Sequence, residues 1–84
     1  MKYEALYVFN GIDITFPVCI QKRDVTHIIQ ERLNLSFTDA AGLFIRSKTC
    51  SILEQVENGL WAESAPYIAD RFFEEYEANN CVTN

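Results

Sequence analysis

The side chains that could move protons or hold an ion are few in this chain. Its one histidine is His27, and Glu31 follows four residues later, so on a helix the two could share a metal ion. A stable site needs three or four ligands, and no second pair with ligand spacing accompanies them. The spacing therefore predicts a surface or boundary histidine paired with Glu31, and no metal. Ser47 beside Lys48, and Ser64 further on, carry the hydroxyl of a nucleophile. Each stands at an expected helix start, where a serine oxygen caps backbone N–H groups and no base is at hand to activate it. Glu74, Glu75 and Glu77 are the kind of carboxylates used in acid–base chemistry, but on a helix they would lie on its solvated side, where nothing raises a pKa. The three glycines are isolated and make no phosphate loop. The residues thus point to no catalytic group, no cofactor and no metal site.

Composition narrows the class further. Eighty-four residues, 49% hydrophobic and 13% aromatic, suffice for one small folded domain over residues 1–84, but hardly for a deep substrate cavity. The apolar run Ala5-Leu6-Tyr7-Val8-Phe9 is too short for a secretory core or a membrane span. A cytoplasmic location without membrane attachment is expected. Cys19, Cys50 and Cys81 are odd in number and widely spaced, which predicts reduced thiols, with Cys19 and Cys50 filling core among aliphatic neighbours. The net charge of −5 is unevenly spread. Residues 22–48 set Lys22, Arg23, Arg32, Arg46 and Lys48 against Asp24, Glu31 and Asp39, whereas residues 49–84 set seven acids against Arg71 alone. An acidic C-terminal half repels DNA and favours a protein partner with a basic surface, unless it serves only as a solvated helix face.

The elements that must position these residues follow from local pattern. Asn10-Gly11 suits a type I′ turn, so residues 3–9 and 12–20 read as a β-hairpin. Its second arm alternates, with Ile12, Ile14, Phe16, Val18 and Ile20 on one face, and Pro17 confines it to a sheet edge. Helical periodicity then takes over. Helices are expected at about 23–34, 37–46, 48–57 and 65–78, the second opened by Ser36, the third by Ser47 or Thr49, and the fourth by Ser64 before Pro66. Ile52, Leu53 and Val56 should form the buried face of the third, and Asn58-Gly59 should close it. Gly42 inside the second helix costs about 1 kcal/mol relative to alanine and suggests close packing. Residues 79–84 should fray. The fold class is α+β and mostly helical.

Two resemblances bear on function. The segment from Ile12 through Val25–Leu33 to Ile45 resembles the ribbon-helix-helix repressors and related antitoxins, which dimerise through their strand and read DNA with its outward side chains. Such a resemblance implies a homodimer through the N-terminal strands, but the outward positions here, Asp13, Thr15, Pro17 and Cys19, lack the Arg, Lys, Asn or Gln used to read base edges. Leu33-Asn34-Leu35-Ser36, Ser47-Lys48-Thr49-Cys50 and Leu60-Trp61-Ala62-Glu63-Ser64 before Tyr67-Ile68 are similar to a set of small bacterial proteins from the mobile elements of gut anaerobes. Those resemble accessory or antitoxin components, and carry tyrosine where this chain has Cys50. What the resemblance implies is a set of motif positions, Ser47, Lys48, Thr49, Leu60, Trp61, Glu63 and Ser64, with no catalytic assignment. The expected function is a non-catalytic interaction protein that binds and occludes a partner through Trp61, Glu63, Glu74, Glu75 and Glu77. The alternatives are a ribbon-helix-helix DNA regulator and an acidic mimic of nucleic acid that inhibits a nuclease or nucleic-acid-binding protein.

Overall fold

A two-stranded antiparallel hairpin, β1 (Val8–Phe9) and β2 (Ile12–Asp13), precedes four α-helices: α1 (Thr15–Leu33), α2 (Phe37–Ile45), α3 (Lys48–Glu54) and α4 (Ala65–Cys81). This computed structural model describes residues 4–81, with side chains through Asn79. The α+β, mostly helical class expected from the sequence is the one observed. Val8 pairs with Asp13 and Phe9 with Ile12, and both turn residues take the positive φ that a type I′ turn demands, 52° at Asn10 and 79° at Gly11.

The second arm ends far sooner than its alternation implies. Residues 14–20, expected as strand, instead lead into and begin α1, because three local features favour a helix there. The Asp13 carboxylate accepts from the Thr15 N–H at 3.0 Å, a turn bond that bends the chain out of the ladder. Pro17 occupies the first helical turn, where its missing N–H has no intrahelical partner to lose. The buried residues Ile14, Val18, Val25 and Ile29 follow spacings of four, seven and four, one helical face. Phe16 and Cys19, turned off that face, are exposed, so Cys19 is not the core-filling thiol expected; Cys50 is. At the other end α1 stops on Asn34, whose φ of 55° lets its N–H close on the Gln30 carbonyl.

The principal core joins all four helices: Val25 and Ile29 from α1, Ala40 and Phe44 from α2, Cys50 and Leu53 from α3, and Ile68, Ala69, Phe72 and Phe73 from α4. A smaller cluster, Ile14, Val18 and Val56, is covered by Tyr7 and Phe9 of the hairpin arm. Trp61 packs against both clusters and so bridges them. The third helix is shorter than expected: α3 ends at Glu54, and two 3₁₀ turns, Val56–Asn58 and Leu60–Ala62, follow around Gly59 at φ 79°. That break rotates Val56 inward while Ile52, expected to be buried, is exposed. α4 continues through Cys81, so residues 79–81 are helical rather than frayed, and residues 82–84 lie outside the described segment.

Candidate functional site

Ser47-Lys48-Thr49-Cys50 is built as a doubly capped helix start. The Ser47 Oγ accepts from the Cys50 N–H at 3.0 Å and its hydroxyl donates to the Phe44 carbonyl at 2.6 Å, tying the end of α2 to the beginning of α3. From α4, Glu75 reaches across: its Oε2 accepts from the Lys48 N–H at 2.9 Å, and its Oε1 from the Thr49 N–H at 3.1 Å and the Thr49 hydroxyl at 3.0 Å. Partial burial would raise this carboxyl, but the two backbone N–H groups, the Thr49 hydroxyl and the nearby Lys48 charge outweigh it and hold the pKa below the usual glutamate value. Glu75 therefore does not face open solvent with its neighbours, as its position in the acidic run suggests. It is a cap placed in trans, with a negative charge at the positive end of α3.

A second polar constellation joins the hairpin arm, α1 and α3. The Lys22 ammonium pairs with Glu54 and donates to the Tyr7 hydroxyl at 3.0 Å, while the Tyr7 hydroxyl donates to Glu54 at 3.2 Å. Burial would lower Lys22, but its hydrogen bonds to Glu54 and Tyr7 push it above the ordinary lysine range. The Lys22 hydrogen bond holds Glu54 below the usual carboxylate range. The Cys50 Sγ lies 4.0 Å from Glu54, and burial, opposed by Lys22 but aided by the Glu54 charge, raises its pKa. A lysine held protonated is a poor nucleophile, and a thiol pushed up is a poor thiolate source. The arrangement fastens three elements to each other. Sequence spacing carried no sign of it, because its members are 15 to 47 residues apart.

The Leu60–Ser64 motif forms the turn into α4. Trp61 is half-buried, meets the Phe9 ring edge-on at 5.7 Å, and donates its indole N–H to the Val56 carbonyl at 2.9 Å. Gln21 from α1 donates to the carbonyls of Trp61, at 2.9 Å, and of Glu63. Leu60 packs on the principal core, and the Ser64 Oγ accepts from the Tyr67 N–H at 3.2 Å, the cap expected of it. The Glu63 side chain is exposed. Trp61 is thus a half-buried packing anchor.

On the outer face of α4, Glu74 pairs with Arg71 at 2.5 Å and Asp70 with Arg32 of α1 at 3.4 Å, so the acidic stripe is partly neutralised from within. Glu77 is exposed and takes part in none of the ion pairs among the described residues. His27 does not pair with Glu31; its Nδ1 lies 3.4 Å from the Gln30 amide oxygen, and its ring tilts against Phe37 at 5.1 Å. Among the described residues no three His, Cys, Asp or Glu side chains converge as metal ligands, and no helix is long and apolar enough to cross a membrane.

Another apolar surface lies on the hairpin and the first turn of α1. Leu6, Val8, Ile12 and Phe16 are 74, 47, 64 and 74% exposed. Their backbone is held firmly: the Thr15 hydroxyl accepts from the N–H groups of Leu6 and Tyr7 at 3.0 and 3.1 Å, and the Ile14 N–H bonds the Tyr7 carbonyl at 2.9 Å. Four large apolar side chains thereby project from one fixed ridge, Val8 on its Asp13 side and Ile12 on its Phe9 side. The positions that a ribbon-helix-helix protein would use to read DNA, Thr15, Pro17 and Cys19, are helical here. No family model, curated protein or solved structure matches the chain.

Proposed function

We propose that this chain is a non-catalytic, cytosolic interaction module of the antitoxin-like or accessory kind, which binds and occludes a partner protein. The observation that carries this reading is the exposure of Leu6, Val8, Ile12 and Phe16 on a hydrogen-bonded ridge. Large apolar side chains exposed close together along one short segment of so small a fold are a solubility liability unless something covers them. The reactive types of side chain support the same reading: Glu75 caps α3, Lys22 and Glu54 clasp Tyr7, and Cys50 is buried.

The partner fits this surface with an apolar face and a basic rim. Net charge of −5, with Glu4, Glu57, Glu63 and Glu77 exposed, steers such a partner at long range, while the apolar ridge supplies the contact. Asp70 and Glu74 contribute less, since Arg32 and Arg71 already face them. Trp61 acts from beneath, through Phe9, by bracing the hairpin.

Affinity enrichment from lysate of the source cells tests the reading when wild type is compared with Phe16→Glu, Ile12→Glu and Glu77→Gln. The wild type and Glu77→Gln should retain one discrete partner at physiological salt, and the two ridge variants should lose it while keeping the far-ultraviolet circular dichroism of the wild type. Equal retention by ridge variants and wild type would remove the ridge as the contact surface.

A further inference from the structure

The groove between the end of α2 and the second half of α4 is a different surface from the hairpin ridge, and it has the makings of a small-ligand site. It offers about 140 Å³ and is about half open to solvent, similar in volume to the roughly 150 Å³ closed cavity that accepts benzene. Leu43, Phe72 and Tyr76 line its apolar part, and the Phe72 and Tyr76 rings stack with centroids 5.8 Å apart and planes 19° from parallel.

Its polar rim is unevenly engaged. Ser47 and Glu75 border the groove, but their oxygens already serve Phe44, Cys50, Lys48 and Thr49. Arg46 and Asn79, the other two polar members of the rim, make no side-chain hydrogen bond or ion pair among the described residues. A guanidinium with its forked donors and a carboxamide therefore stand open beside an aromatic floor. Gly42 belongs to the same design. No positive φ requires glycine there, but a Cβ would come within 3.3 Å of the Arg46 Nη1, so the missing side chain lets the guanidinium lie against α2.

We propose that this groove binds a monocarboxylate whose apolar group is about the size of a phenyl ring, with the ring against Phe72 and Tyr76 and the carboxylate on Arg46 and Asn79. The guanidinium matches a carboxylate in a two-point contact, and the volume suits a single ring. The same chemistry is offered by a free aryl acid and by the terminal aromatic residue of a peptide.

Nuclear magnetic resonance titration of the full chain distinguishes these, with phenylacetate as probe, phenylacetamide as its neutral counterpart, and a short peptide ending in phenylalanine with either a free or an amidated terminus. Phenylacetate should shift the amide signals of Leu43, Ser47 and Asn79 saturably, with a dissociation constant on the order of 1 mM, as befits a small open groove. Phenylacetamide should bind at least about fivefold more weakly, and Arg46→Met should weaken phenylacetate by a similar factor while leaving signal dispersion intact. Gly42→Ala should also weaken it, by displacing the guanidinium. A free-terminus peptide that binds more tightly than phenylacetate assigns the groove to chain ends, and one that binds more weakly assigns it to free acids. The proposal is overturned if phenylacetate and phenylacetamide bind alike, if Arg46→Met binds as the wild type does, or if no saturable shift arises below about 20 mM.

Discussion

Replacing Glu75 should destabilise this protein more than replacing any other member of its acidic run. The carboxylate accepts the Lys48 and Thr49 N–H groups and the Thr49 hydroxyl, at 2.9, 3.1 and 3.0 Å. Loss of a helix cap typically costs about 1 kcal/mol. Thr49 is buried, so leaving its hydroxyl without an acceptor adds roughly another 1 kcal/mol. Glu75→Ala should therefore lose about 2 kcal/mol, and Glu75→Gln, which keeps an acceptor oxygen but no charge, about half of that. For a domain of this size 2 kcal/mol lowers Tm by about 8–16 °C. Urea unfolding followed by Trp61 fluorescence measures the difference, with Glu77→Gln as an unchanged control. The pH dependence has a definite sign. Since the folded chain holds the Glu75 carboxyl below its unfolded value, the unfolded chain binds more protons as acid is added. The charge contribution is complete above the unfolded glutamate pKa of about 4.3 and is lost as pH falls through the lower folded value. The gap between wild type and Glu75→Gln should be full at pH 7 and narrow in acid. Equal stability of the two at pH 7, or a gap that does not change with pH, would refute the cap.

Three other perturbations test the architecture. Ile14→Ala should cost about 2–4 kcal/mol and Ile12→Ala well under 1, because α1 buries Ile14 and leaves Ile12 exposed; similar losses at both positions in urea unfolding would restore the alternating strand. A double-mutant cycle with Lys22→Met and Glu54→Gln should give a coupling of about 0.5–1 kcal/mol, modest because the pair is partly solvated, and a coupling of zero would remove the clasp. Gly59→Ala should cost about 1 kcal/mol purely through its φ of 79°, since a Cβ there meets nothing within 4 Å; no loss in Tm would contradict the left-handed link between the two 3₁₀ turns.

Local chemistry was legible where one or two residues suffice to encode it. Asn10-Gly11 announced the hairpin turn, and Ser36, Ser64 and one of the pair Ser47 and Thr49 the helix starts, because turns and caps are decided by the residues that form them. Residues 12–20 misled because an alternating apolar pattern over a few residues also contains a spacing of four, and the Asp13 turn bond with Pro17 in the first helical turn decided between them. Ile14 and Val18 then serve the helix, and Phe16 is left outside. Functional surfaces were less legible for a different reason. Glu74, Glu75 and Glu77 look equivalent in sequence, yet one faces Arg71, one caps α3 and one is exposed, and only the packing of α4 against α3 separates them. The Tyr7–Lys22–Glu54 clasp likewise exists only once the hairpin folds back toward α3.

The most direct test of the account is site-specific photo-crosslinking in lysate of the source cells, with a benzophenone side chain placed at position 16 on the apolar ridge and, in a separate variant, at position 67 on the outer face of α4. One discrete heterologous protein adduct is expected from position 16 and none from position 67. An adduct from position 67 alone, or from neither position, would contradict it.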